Sequence, residues 1–300
     1  MRMKQVDVFT DRPLVGNPLA VVLDGEALSS DEMQAIAREM NLSETTFVLK
    51  PTKPEADYKV RIFTPSKEMR FAGHPSIGTA HALVEEGKIR LGERLTTVRQ
   101  EVGIGVLPIE IEQMADGRRV ITMTQGKPRL GRTVADLREL AQALMISPEE
   151  IASDMLPVQV SSTGLDQLMV PLRSVEQLTR LAPDYERLKE FENRFRLEGC
   201  YVFALTASRL KASVRARFFI PSAGVHEDPA TGSAAGALGA YLVVHKVFGS
   251  KTVISFSVEQ GSEIGRPSLM TVTVHQDGES PDLVKVGGTA VTVLNGEMTL

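Results

Sequence analysis

Asp228-Pro229-Ala230-Thr231-Gly232-Ser233-Ala234-Ala235-Gly236-Ala237-Leu238-Gly239-Ala240-Tyr241-Leu242 has a weaker copy earlier in the chain, His74-Pro75-Ser76-Ile77-Gly78-Thr79-Ala80-His81-Ala82-Leu83. At an offset of 154 residues, Pro75 meets Pro229, Gly78 meets Gly232, Thr79 meets Ser233 and Ala80 meets Ala234. Each copy follows a strand pattern ending in Pro-Ser, Arg61-Ile62-Phe63-Thr64-Pro65-Ser66 and Arg217-Phe218-Phe219-Ile220-Pro221-Ser222, here offset by 156. The second loop is two residues shorter. A strand, a Pro-Ser turn, a loop and a Pro-initiated helix, found twice, read as a duplication into two like halves. Pro suits the first turn of a helix because its missing N–H would have no intrahelical partner there, while the remaining N–H groups and hydroxyls can bind an anion. Two helix N-termini facing one another across a cleft is the functional reading. The bland reading is that Pro-x-x-Gly-Ser/Thr only starts a helix and the small residues only let helices pack closely.

Three hundred residues, 42% apolar and 24% charged, suffice for two domains with substantial cores. A formal charge of −4 without a block of like charge gives no footprint for nucleic acid or an anionic membrane. The single cysteine, Cys200, cannot form an internal disulfide. No apolar signal segment precedes the first strand pattern and no apolar run reaches eighteen residues, so a cytoplasmic location is expected.

In chain order, β-rich runs at Val6-Asp7-Val8-Phe9 and Leu19-Ala20-Val21-Val22-Leu23 flank a Pro/Gly/Asn turn. Ser29 or Ser30 caps a helix running to about Met40, with Met33, Ile36, Ala37 and Met40 on its buried stripe. Strands are predicted at 45–49 and 58–63, a helix from Pro75 to about Glu86, and strands at 95–98, 105–111 and 119–123. Beyond Gly126 come helices over 135–143 and from Ser147, strands at 158–161 and 167–170, helices over 175–181 and 184–191, strands at 201–205 and 213–219, and hairpins after Val253. The expected class is α+β, two pseudo-symmetric halves, each a curled, mostly antiparallel sheet around a central helix. The halves are 1–126 and 127–300, with the last strand free to return to the first.

The repeat compares each residue with its internal counterpart. Glu44 falls opposite Cys200, with Phe47 matching Phe203, so the acid is present in one half only. Partly buried, such a carboxylate has its pKa raised by desolvation and becomes a usable proton shuttle. A Glu at a helix-to-strand junction is otherwise a solvated loop residue. His74 aligns with Asp228, where each either hydrogen-bonds a polar substrate or caps its own helix. Ser233 is a ligand to substrate or a first-turn hydroxyl. G-x-G-x-x-G and Walker spacings are missing, and His74 and His81 stand two helical turns apart, so no cofactor and no metal are expected.

Asp7-Val8-Phe9-Thr10 with Gly16-Asn17-Pro18-Leu19-Ala20-Val21, Asn41-Leu42-Ser43-Glu44-Thr45-Thr46-Phe47, Phe71-Ala72-Gly73-His74-Pro75-Ser76-Ile77-Gly78-Thr79-Ala80 and Glu227-Asp228-Pro229-Ala230-Thr231-Gly232-Ser233-Ala234 resemble, in order, the signature segments of the phenazine-biosynthesis PhzF-like proteins. The resemblance covers nearly the whole chain and implies the duplicated fold that the family shares with diaminopimelate epimerase. It implies an isomerase of the trans-2,3-dihydro-3-hydroxyanthranilate type, working without a cofactor, and a homodimer. Carried over by motif, Glu44 is the proton-shuttling acid, with His74, Asp228 and Ser233 as its catalytic companions. Gly73, Ser76, Gly78, Thr231 and Gly232, in the two helix starts, are expected to bind a substrate carboxylate. The epimerases carry a cysteine in each loop, where this chain has Ala72 and Asp228, so a two-thiol mechanism is closed to it. Epimerisation or racemisation with Asp228 as the opposing acid, and a non-catalytic small-molecule-binding protein, stand as the alternatives.

Overall fold

The computed structural model describes residues 1–206, 213–249, 251–278 and 280–300. The fold is mixed α/β, mostly sheet with few helices. The chain divides into two compact units, residues 1–124 with 287–300, and residues 125–286.

In the first unit, β1 (Arg2–Val8) runs antiparallel to β2 (Asn17–Val22), and β2 runs parallel to β3 (Glu44–Leu49). A parallel pair needs a crossover, and helix α1 (Ser30–Met40) supplies it. Ser29 caps this helix reciprocally: Glu32 N donates to its Oγ while its own N–H donates to the Glu32 carboxylate at 2.7 Å. Met33, Ile36 and Ala37 are buried against Val22, Phe47 and Phe63, with Met40 half-buried beside them. At roughly 1.5–3 kcal/mol for each large apolar side chain, this stripe outweighs the helix's own propensity. Asn41, in the left-handed region at φ 50°, ends the helix.

The unit continues through β4 (Tyr58–Phe63), β5 (Glu68–Met69), α2 (Gly73–Glu85), β6 (Leu95–Val102), β7 (Gly105–Gln113) and β8 (Arg119–Thr124). β3 and β4 are antiparallel, β4 and β6 parallel, and β6, β7 and β8 antiparallel in turn. Every residue of α2 from His74 to Leu83 is buried, and the helix packs against β1, β2, β3, β7 and β8. A helix without a polar face is stable only where protein encloses it. Gly78 allows that approach, since a Cβ there would lie 2.6 Å from Leu19 Cδ2 and 2.8 Å from Val8 Cγ2.

The second unit comprises β9 (Arg129–Thr133), α3 (Arg138–Leu144), β10 (Gln159–Ser162), β11 (Asp166–Pro171), α4 (Val175–Thr179), α5 (Tyr185–Phe195), β12 (Cys200–Leu205), β13 (Val214–Ile220), β14 (Val225–Asp228), α6 (Gly232–Val244), β15 (Val253–Gln260), β16 (Ser268–Asp277) and most of β17 (Ser280–Gly288). β9 to β11 pair antiparallel, β11 and β12 parallel, β12 and β13 antiparallel, β13 and β15 parallel, and β15 and β16 antiparallel. Helix α6 is buried at Gly232 and from Ala234 to Val243, packed on β9, β10, β11 and β16. A separate apolar cluster joins Leu140, Leu144, Leu188 and Phe191 of the outer helices to Leu168, Val170 and Val202 of the strands. The chain then returns to the first unit, where β18 (Ala290–Glu297) pairs antiparallel with β1 from Arg2↔Glu297 to Val8↔Ala290.

Three local expectations need correcting. Pro-Glu-Glu after Ser147 makes a single 3-10 turn with a capping box rather than a helix, and β9 lies where no strand pattern was read. The helices are also not both opened by their prolines. Pro75 is the third residue of α2, whereas Pro229 stands three residues before α6, so α6 starts five residues later than the repeat alignment places it. Gln260 explains the delay, because its amide bonds Asp228 O at 2.7 Å and accepts from Thr231 N at 3.2 Å, holding 228–231 out of helical conformation.

Candidate active site

Glu44 opens β3 in register with Leu19 of β2, immediately after the turn that Asn41 begins. Its side chain keeps 18% of its surface accessible, and its Oε2 lies 3.3 Å from His74 Nε2. His74, expected in a loop, is the second residue of α2 and is 6% exposed. The two elements are tied behind the pair, since Thr79 Oγ1 donates to Thr46 Oγ1 at 2.9 Å and Thr46 Oγ1 donates to Ala20 O at 3.3 Å. Burial lowers the His74 pKa from 6.5 to about 3, so the imidazole is neutral at physiological pH. A neutral ring with one donor and one acceptor nitrogen, beside a partly accessible carboxylate, can steady that carboxylate in either protonation state.

The same burial has a stability consequence. Between pH 6.5 and about 3 the unfolded chain binds a proton that folded His74 refuses. The contribution is therefore fully present above the unfolded pKa and is lost as pH falls towards the folded one. His74→Asn is expected to flatten the decline of the melting temperature between pH 6.5 and 4, whereas a slope equal to wild type would contradict a buried, neutral imidazole.

Ser76 sits behind this pair with its hydroxyl fully used. Its Oγ donates to Ala72 O at 3.0 Å and accepts from Gln100 Nε2 at 3.1 Å, while Gln100 Oε1 accepts from Tyr58 at 3.2 Å. Gly73, half-exposed, begins α2 and offers an N–H with no place in the helix ladder. Gly78 lies past the first turn, and the space beside it belongs to Leu19 and Val8, so close packing accounts for it.

In the second unit, Asp228 ends β14 and Thr231 is the N-cap of α6. Thr231 Oγ1 donates to Asp228 Oδ2, and Gln260 Nε2 donates to Thr231 Oγ1 at 3.1 Å. The Gln260 amide is itself oriented by Tyr201, whose hydroxyl donates to Oε1 at 3.0 Å. One residue before Asp228, the Glu227 carboxylate accepts from Arg217 Nε at 2.9 Å and Nη2 at 2.7 Å, with both side chains almost wholly buried. Arg217 Nη1 also donates to Leu178 O at 3.1 Å and Leu181 O at 2.7 Å, fixing the guanidinium from the far side. Gly232 is the first residue of α6 and is buried; Ser233 is the second and is half-exposed.

Sequence reasoning missed Gln100, Gln260, Arg217 and Glu227. Both glutamines were detectable, because each continues the inward face of an alternating strand, Val98-x-Gln100-x-Val102 and Ile254-x-Phe256-x-Val258-x-Gln260. An amide in such a row must have partners. Arg217 and Glu227 carried no local signal. Cys200 is fully buried with its thiol pKa pushed up by burial. Among the described residues no group of three or more His, Cys, Asp and Glu could hold a metal ion, and no helix is long and apolar enough to cross a membrane.

Residues 6–296 match the phenazine biosynthesis-like protein family, PhzC-PhzF. The chain is 39% identical over 300 residues to the trans-2,3-dihydro-3-hydroxyanthranilate isomerase of Pseudomonas chlororaphis, covering 98% of each protein. It is similar in structure to the Bacillus anthracis phenazine biosynthesis protein of the PhzF family, at a TM-score of 0.91 and 32% identity, with 100% of this chain and 99% of that one covered. A probable proline racemase from Agrobacterium radiobacter shares the fold at a TM-score of 0.70 and 14% identity, covering 100% of this chain and 93% of its own. With the match running through all four signature segments and isomerases among its full-length relatives, the chain belongs to the PhzF family of isomerases.

Proposed function

We propose that this isomerase moves a proton on a small carboxylate-bearing substrate of the trans-2,3-dihydro-3-hydroxyanthranilate type, without a cofactor. The observation that carries the reading is the Glu44–His74 pair, a partly accessible carboxylate 3.3 Å from a buried neutral imidazole. Glu44 takes a proton from carbon as that C–H electron pair becomes a new C=C bond. The electrons of the former C=C then take the proton back from Glu44 at another carbon, so the double bond moves and no atom or electron is gained. His74 steadies the carboxyl group through both steps. Asp228 and Ser233 engage substrate polar groups, and the N–H groups of Gly73 and Gly232, each the first residue of its helix, attract a carboxylate.

The two units are read as like halves of a duplication. In support, each runs antiparallel, parallel, antiparallel and parallel pairings in the same succession around a buried 13-residue helix. The protein is further proposed to act in the cytoplasm as a homodimer, which light scattering at micromolar concentration tests directly. The decisive assay follows trans-2,3-dihydro-3-hydroxyanthranilate by proton NMR in D2O with chelator present. A displaced double bond is expected. Inversion at one carbon without a moved bond would turn the reading to epimerisation, and an unchanged spectrum would remove it.

A further inference from the structure

Each central helix carries near its start a serine that accepts a hydrogen bond from a buried glutamine, Ser76 as the fourth residue of α2 and Ser233 as the second of α6, yet the two pairs differ in what is left over. Gln100 Nε2 donates to Ser76 Oγ at 3.1 Å, and Ser76 Oγ passes its own proton to Ala72 O at 3.0 Å. Both ends of that hydroxyl are occupied inside the protein, and Ser76 is wholly buried. In the second unit Gln167 Nε2 donates to Ser233 Oγ at 3.1 Å. Ser233 O accepts from Thr163 Oγ1 at 3.3 Å, so the residue is held at both its side chain and its carbonyl. Among the described residues Ser233 Oγ donates to no protein group, and Ser233 is half-exposed.

Gln167 is 1% exposed, and its Oε1 is buried without a partner. Leaving a buried carbonyl oxygen unsatisfied costs stability, which an apolar side chain at this place on β11 would avoid. The amide therefore serves the fold poorly and Ser233 well. A serine hydroxyl has one proton and accepts through its lone pairs. With Gln167 on the accepting side, the proton is turned away from β11, and Ser233 becomes an oriented donor.

We propose that Gln167 is a positioning residue that fixes Ser233 as a hydrogen-bond donor to an anionic oxygen of the substrate. This rests on the isomerase reading above and adds to it a polarity: Ser233 gives a proton to the ligand's carboxylate rather than accepting one from an amine or hydroxyl.

The test is a double-mutant cycle of Gln167→Met and Ser233→Ala, each variant first checked for its melting temperature. Turnover of trans-2,3-dihydro-3-hydroxyanthranilate and calorimetric binding of 3-hydroxyanthranilate, an aromatic analogue with no double bond to shift, are the readouts. Loss of one oriented hydrogen bond is expected to raise KM and the analogue's Kd about five- to tenfold in Gln167→Met, with kcat changed less than about twofold. In the Ser233→Ala background the same substitution is expected to change either quantity less than about twofold, because the group it orients is gone. Equal losses in both backgrounds would show that Gln167 only supports the fold, and no loss in either would show that the hydroxyl needs no orientation; both overturn the proposal. If Gln167→Met melts too low to assay, Gln167→His, which keeps a ring N–H, runs the same cycle and is expected to retain more of the binding. Wild type that binds 3-hydroxyanthranilate but turns nothing over counts against the assigned activity and leaves the cycle readable. Wild type that does neither overturns both.

Discussion

Glu44→Gln is expected to lower turnover by roughly 10²–10⁴-fold, the usual contribution of a positioned acid–base group, with the fold intact. The amide has nearly the shape of the carboxylate, and at 3.3 Å from His74 Nε2 it still meets a ring that can donate or accept. What it lacks is a carboxylate oxygen that can take a proton from carbon and return it. Steady-state turnover together with deuterium incorporation from D2O checks this, and both should fall together. A variant working within about threefold of wild type would remove Glu44 from the role of base. A KM that rises with kcat untouched would make it a binding group instead.

The second large effect is expected in stability. Arg217→Met takes away the cation that, among the described residues, pairs with Glu227, whose side chain keeps just 4% of its surface accessible. A buried ion left without its partner costs about 3–5 kcal/mol. Leu178 O and Leu181 O lose a donor in the same stroke. Urea unfolding measures the difference, and a loss under about 1 kcal/mol would mean that water reaches Glu227 more freely than its burial indicates. Adding Glu227→Gln to Arg217→Met should restore a good part of the loss, because the stranded charge is then gone. Activity is expected to suffer with stability, since Glu227 is the residue before Asp228 and its carboxylate anchors the end of β14.

Periodicity and caps carried much of the fold. Tyr58–Phe63 was readable to the residue, and α1 to within one, because alternation and the Ser29–Glu32 box are local signals. The later start of α6 was not readable, because it depends on Gln260, which lies 29 residues beyond Thr231 in the chain. Site residues divide in the same way. Glu44 and His74, grouped only by the family motif, lie 3.3 Å apart, whereas Ser76 and Gly78 turn out to be spent on the helix itself, one on Ala72 and Gln100, the other on Leu19 and Val8. Small and hydroxyl residues at a helix start look alike on the page whether they face a ligand or a neighbouring strand. Only the third dimension separates the two.

The pairing of β1 with β18 also bears on how the protein is made. Residues 2–8 leave the ribosome early, yet their partners at 290–297 appear only after the whole of the second unit has been synthesised. Until then β1 has a neighbour on one side only, β2, and its other edge is a row of open backbone groups able to recruit a foreign strand. The 125–286 unit has every segment it needs sooner, so vectorial synthesis lets it close first while the earlier-made unit waits incomplete. Nascent chains stalled shortly before residue 290 should therefore be the species most prone to aggregate and most dependent on chaperones.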